Sequence, residues 1–142
     1  LLIIPFLHRG VPIFLQARNP DGHRAKYDNL RGRPFPLYGA DSLAGLPAGA
    51  RVWLTEGVLD ALALRQLGCP AVACGSAGRF NPAWAGRYFG ALRPVLAADN
   101  DAAGQGQALE KWGAALRAAG ISYTIQNWPE GVKDACELLR WA

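Results

Sequence analysis

The sequence predicts an α/β fold: a mostly parallel, four-stranded, Rossmann-like sheet with helices on both faces, preceded by a small β-hairpin and basic segment. Two observations in the later part of the chain predict it. After residue 50, short apolar runs alternate with stretches of helical period. Several of those helical stretches also end at a glycine, the usual stop signal. A third observation predicts the hairpin: the apolar runs "LLIIPF" and "VPIFLQA" flank the short turn "LHRG".

In chain order, an Arg/Gly/Pro-rich connector follows the hairpin and runs to about residue 50. "RVWLT" then reads as a buried strand and "GVLDALALRQLG" as a helix with a glycine stop. "PAVAC" is a second short strand. "NPAWAGRYFGAL" opens a helix with Asn81 as cap and Pro82 at the first helical position. "RPVLAA" is the third strand, and "AAGQGQALEKWGAALRAAG" a helix with a glycine end. "ISYTIQNW" is expected as the fourth strand and "VKDACELLRWA" as the closing helix. Strands spaced by helices imply a parallel sheet covered on both faces. The division this implies is a basic segment over 1–50 and an α/β domain over 51–142.

With 142 residues, 51% hydrophobic and 18% charged, the chain has the size of one domain and excludes a disordered class. No apolar run approaches the ~20 residues of a membrane span. "LLIIPFL" lacks the basic leader and cleavage site of a signal peptide. A cytoplasmic location without membrane contact is therefore expected. The start at Leu1, inside an apolar strand, suggests a piece of a longer protein.

Fifteen basic against eleven acidic residues give a net charge of +4, which favours a polyanionic partner. The excess is concentrated early, in His8, Arg9, Arg18, His23, Arg24, Lys26, Arg31 and Arg33 against Asp21 and Asp28. An ordinary solvated face reads equally well there. Three cysteines without CxxC pairing support neither a disulfide framework nor a zinc site. Of the five tryptophans, Trp53, Trp84, Trp112, Trp128 and Trp141 are expected in the core, with base stacking as the alternative.

In parallel α/β sheets, ligands gather outside the carboxyl ends of the strands. Glu56 follows "RVWLT", and Asp99 and Asp101 follow "RPVLAA". Carboxylates two apart on an extended segment point the same way and repel unless a cation lies between them. Mg²⁺ takes such hard oxygen ligands and commonly shares them with substrate phosphates. If the two strands are neighbours, the three acids converge. Asp60, one helical turn after Glu56, is a further ligand, an outer partner, or simply an acid favoured at a helix start. Asp99 and Asp101 read alternatively as a polar turn capping the next helix. Gly57 and Gly104 suit tight turns. The "GSAG" loop with Ser76 offers donors to an anion or is a plain connection.

Three stretches, "TEGVLDALAL" (55–64), "ACGSAG" (73–78) and "AADNDAAG" (97–104), together resemble the Toprim domain of primases, topoisomerases and certain nucleases. The resemblance covers roughly residues 51–139. It implies a glutamate at the first strand end, here Glu56, and an Asp-x-Asp at the third, here Asp99 and Asp101, as the catalytic acids. "GVKDACELL" (131–139) is similar to the late acidic motif of primase-type Toprim domains, with Asp134 on its first acid and Glu137 matching. Cys136 stands where that motif often has an acid or amide; the alternative for "KDACE" is helix-start chemistry.

The segment before residue 50 is similar to the lead-in of bacterial and phage primases: Arg18, then Lys26–Tyr27 and Asn29, then "LYGADSL" (37–43). Only Arg33 could replace the lysine that often precedes "LYG". The resemblance thus implies a primase, joining ribonucleotides on single-stranded DNA with Mg²⁺ or Mn²⁺. It implies Glu56, Asp60, Asp99, Asp101 and Asp134 as metal ligands. Arg18, Lys26, Tyr27, Ser76 and Lys133 would hold phosphates. Nucleoside triphosphates, a single-stranded template and a replicative helicase are the implied partners. A Toprim nuclease and a catalytically silent nucleic-acid-binding module are the alternatives.

Overall fold

A computed structural model describes residues 1–22, 25–102 and 104–142. The basic residues His23 and Arg24 lie outside the described residues. Among the described residues two sheets are present: an antiparallel one of β1 (Leu2–His8), β2 (Val11–Arg18) and β3 (Tyr27–Asn29) in that order, and a parallel one of β4 (Arg51–Thr55), β5 (Ala71–Ala73), β6 (Arg93–Ala97) and β7 (Thr124–Ile125) in the order β5–β4–β6–β7.

β1 (Leu2–His8) and β2 (Val11–Arg18) form the expected hairpin, turning at Arg9 and Gly10, both at positive φ. Phe6 opposes Phe14 in register, and both rings are buried. β3 (Tyr27–Asn29) adds to β2, so that Tyr27 lies opposite Arg18. A 3₁₀ turn over Ala40–Gly45 then leads toward β4 (Arg51–Thr55).

β4 is followed by α1 (Val58–Gln66), β5 (Ala71–Ala73) and α2 (Ala83–Phe89). Asn81 caps α2 as expected, its Oδ1 accepting from the Ala83 N–H at 3.0 Å. β6 (Arg93–Ala97), α3 (Leu109–Ala118), β7 (Thr124–Ile125) and α4 (Ala135–Trp141) complete the order. The alternation of β4 divides the core. Val52 and Leu54 face one cluster with Trp84, Phe89, Trp112 and Leu116 of α2 and α3. The other cluster joins Val58, Ala61 and Ala135 of α1 and α4 to Ile4, Phe6 and Phe14 of the hairpin. Helices therefore cover both faces, and the hairpin sheet packs beside α1.

Three expectations need correction. The helix expected over 102–120 passes through a π-helical turn, Gly104–Ala108, before α3. The strand expected over 121–128 is paired only at Thr124–Ile125. Beyond it the chain turns inward: Gln126 Oε1 accepts from Trp53 Nε1, and Trp128 Nε1 donates to the Ala98 carbonyl. Trp141, placed in the core by its amphipathic position, is 64% exposed because α4 ends there. Among the described residues, no helix is long and apolar enough to cross a membrane.

Candidate functional site

β4 and β6 are hydrogen-bonded neighbours, with Thr55 beside Ala97. The segments leaving their carboxyl ends therefore start side by side. The buried Thr55 hydroxyl fixes the first, donating within reach of the Gly57 and Val72 carbonyls at 2.9 and 3.2 Å. Glu56 then turns across the sheet edge, and its Oε1 accepts from the Asp99 N–H at 3.3 Å. Thus the acids of two strands 43 positions apart meet.

The Asp99–Asp101 loop is held from outside the sheet. The Asn100 N–H donates to the Lys133 carbonyl at 2.7 Å, and its side-chain amide donates to the Val132 carbonyl at 3.1 Å. Asp101 Oδ1 accepts from the Gly104 N–H at 2.8 Å, so this acid also caps the following turn. A Cβ at Gly104 would press on the Asp99 carbonyl and lie 2.9 Å from Glu56 Oε1. The residue must therefore be glycine for the loop to close on the acids. Asn100 and the 132–133 backbone are features that sequence reasoning passed over. Asn100 sits within the quoted "AADNDAAG", yet an amide between two acids carries no signal of where its partners lie.

Asp60 occupies the same side of α1. Its Oδ1 accepts from the Cys136 N–H at 3.2 Å, linking α1 to the first turn of α4. A Cβ at Gly57 would lie 2.5 Å from Asp60 Oδ2, so this glycine leaves room for the carboxylate. Asp134 is the N-cap of α4, accepting from the Glu137 N–H at 2.9 Å, while Glu137 Oε2 accepts from the Lys133 N–H at 2.8 Å. Helix-start chemistry is thus present in "KDACE". Yet one ligand atom each from Asp60, Asp134 and Cys136 lie within 4.8 Å of one another. Asp134 caps the helix with one oxygen beside a group able to hold a metal.

The electrostatics bind these parts together. Burial first, and then the charges of Glu56, Asp60, Asp134 and Asp101, together push Asp99 from 3.8 up to about 7. Burial also raises Glu56; the Asp99 N–H opposes this, while Asp101 adds to it. Burial raises Asp60 too, with the Cys136 hydrogen bond and Lys26 opposing and Asp134 adding. Cys136 is pushed up to about 12 by burial and by Asp60, so it stands as a neutral thiol. Carboxylates whose ionisation is opposed by burial and by one another's charge are a donor set suited to a hard divalent cation. The donor set therefore fits a hard divalent cation, with Cys136 contributing no thiolate.

Arg18, Lys26 and Tyr27 face this cluster. With Asp60, Asp134, Cys136 and Glu137 they line a cavity of about 260 Å³. Arg18 donates to the Tyr27 hydroxyl at 2.7 Å and lies 5.2 Å from its ring centroid, while Lys26 Nζ lies 5.8 Å away. Burial raises the Tyr27 phenol, and Arg18 opposes the shift. Ser76 and Lys133 do not line this cavity. Lys133 acts here through its backbone, and the loop of Ser76 contributes the Ala77 N–H, which favours the charged form of Glu56.

Comparison with known proteins agrees with this geometry. No curated protein sequence matches the chain. Among solved structures, the DnaG primase catalytic domain bound to ssDNA is 25% identical, with a TM-score of 0.76 over 98% of this chain and 47% of that one. The DnaG catalytic core is 26% identical, with a TM-score of 0.77 and the same coverage. The primase fragment of the bacteriophage T7 primase-helicase protein, at 22% identity, shares the fold with a TM-score of 0.74, covering 95% of this chain and 55% of that one. The chain thus spans about half the length of the primase structures it matches. A Toprim-like family model matches residues 53–139, well over half of the sequence. The chain, with the fold of a primase catalytic domain, belongs to the Toprim-like family.

Proposed function

We propose that this chain is the Toprim part of a DnaG-like primase, taking part in metal-dependent nucleotidyl transfer that makes RNA primers on single-stranded DNA. One observation carries the reading: acids from β4, β6, α1 and α4 converge on Asp99 beside a cavity lined by Arg18 and Lys26. The alternation of acid and base suits a triphosphate, whose oxygens need cations on both sides. In this reading, residues 1–50 form the basic part and 51–142 the Toprim part that carries the proposed acids.

Glu56, Asp99 and Asp101 are the proposed catalytic acids, and with Asp60 and Asp134 the proposed holders of Mg²⁺ or Mn²⁺. Such a cation, when bound, neutralises charge on the triphosphate and its leaving pyrophosphate. Arg18 would grip phosphate oxygens bidentately and Lys26 as a point charge. The Tyr27 ring lies within cation–π range of both, and its hydroxyl accepts from Arg18, which helps orient them. Ser76 and Lys133 lie outside the cavity and would reach phosphate only when a longer strand extends past it. The chain's contribution is positioning and electrostatic stabilisation. The cytoplasm, with single-stranded template, nucleoside triphosphates and a replicative helicase, is the proposed setting.

The test is incubation of the protein with single-stranded DNA, Mg²⁺ or Mn²⁺ and labelled nucleoside triphosphates. Short RNA products support the reading. Shortened DNA points instead to a nuclease, and binding without either product to a silent module. Mn²⁺ titration followed by electron paramagnetic resonance reads the acids without relying on turnover. Unchanged Mn²⁺ binding in Asp99→Asn removes Asp99 from the site.

A further inference from the structure

A second charged feature lies at the opposite end of the sheet. Arg51 and Arg93 open β4 and β6 and are register partners on adjacent parallel strands. Side by side, about 5 Å apart, two guanidinium stems on one face repel each other. Both residues are exposed, so burial gives no reason for the pairing. The Arg51 guanidinium is held 4.9 Å from the Trp53 ring centroid, and Trp53 is itself fixed through Gln126.

Beside this pair opens a cavity of about 510 Å³, lined by Arg51, Arg93, Pro94, Ser122, Tyr123 and Thr124. None of these lining residues is acidic. Thr124 is the register partner of Val95, so its hydroxyl lies on the sheet face that carries both arginines. Ser122 adds a second hydroxyl, and the Tyr123 hydroxyl accepts a hydrogen bond from Arg117. Arginines and hydroxyls without a carboxylate are the donor set that phosphate oxygens use.

The geometry points to a phosphate-binding site here for the backbone of a single-stranded nucleic acid. The lining is shallow and largely exposed, with only one ring, so it grips phosphates without enclosing a base. That favours a polymer over a mononucleotide. The edge strand has two paired residues and offers no element that could enter a duplex groove. From Arg93 to Asp99 are six residues, about 20 Å of extended chain, so the site is separate from the acids. It does not rest on the proposed reaction.

The experiment is fluorescence anisotropy of a labelled single-stranded oligonucleotide on the 142-residue chain, as a function of salt. The variants are Arg51→Gln/Arg93→Gln and Arg51→Lys/Arg93→Lys. Circular dichroism verifies that both fold. Losing two phosphate contacts should flatten the slope of log K against log salt by about 1.4 and weaken binding about 25-fold at 0.1 M salt. The lysine pair should restore the slope but not the full affinity. An unchanged slope in the glutamine pair overturns the site. So does equal competition by inorganic phosphate, which marks a small-anion site, or by poly-glutamate, which marks a peptide site. Should the glutamine pair misfold, the lysine pair alone decides: full affinity in it overturns bidentate arginine contacts.

Discussion

Asp99→Asn should stabilise the metal-free protein while abolishing its response to divalent cations. The Asp99 carboxyl is pushed from 3.8 to about 7 by burial and by four neighbouring acids. A carboxyl whose folded value is raised binds its proton more tightly in the folded state. Stability therefore falls as pH rises through the window from 3.8 to about 7, and the penalty is complete above it. Three units correspond to roughly 4 kcal/mol at 1.36 per unit, an upper bound. Because Asp99 is partly exposed, solvent screening reduces this to about 1–2 kcal/mol. The amide keeps the shape without the charge. In EDTA at pH 8, Asp99→Asn should melt about 3–8 °C higher than the parent; at pH 5, part-way through the window, the difference should shrink to about 1–3 °C. Millimolar Mg²⁺ should raise the parent's Tm and leave the variant's unmoved. Thermal melts at the two pH values give the answer. A variant that melts lower at pH 8, or whose difference ignores pH, refutes the argument that the acids repel one another.

Three further outcomes are expected. Gly104→Ala drives a methyl against the Asp99 carbonyl and Glu56 Oε1, and should cost about 1–3 kcal/mol in urea unfolding together with most Mn²⁺ affinity. Asn100→Ala removes the side-chain tether to Val132 and should cost about 1 kcal/mol, with Mn²⁺ binding weakened rather than lost. Asp134→Ala should lose about 0.5–2 kcal/mol with the α4 cap, whereas Asp134→Asn keeps the cap and should lower only the cation response, separating the two roles by melt and by titration.

Much of this was legible in the residues. The short apolar runs "RVWLT" and "RPVLAA" mark strands, and the acids after them stand where parallel sheets keep their sites. The hairpin followed from its two apolar runs and turn. Strand order was not legible, because no local pattern tells β6 to pair with β4 rather than with β5. The adjacency that joins Glu56 to Asp99 is a tertiary fact. β7 was overestimated because "ISYTIQNW" has strand composition throughout, yet Trp128 finds its partner at Ala98 instead of on the ladder. The double duty of Asp134 was half visible: its spacing to Glu137 signals a cap, while Asp60 arrives from 74 residues earlier in the sequence and leaves no local trace.

The meeting of Glu56 with Asp99 has a consequence for how the molecule matures. β5, though made between β4 and β6, lies on the outer side of β4, leaving the inner position vacant until β6 is synthesised and slots in. A nascent or clipped chain ending before residue 99 carries only Glu56 and Asp60 of the five acids and lacks the crowding around Asp99. Sensitivity to divalent ions should therefore switch on late and all at once, distinguishing finished molecules from partial ones.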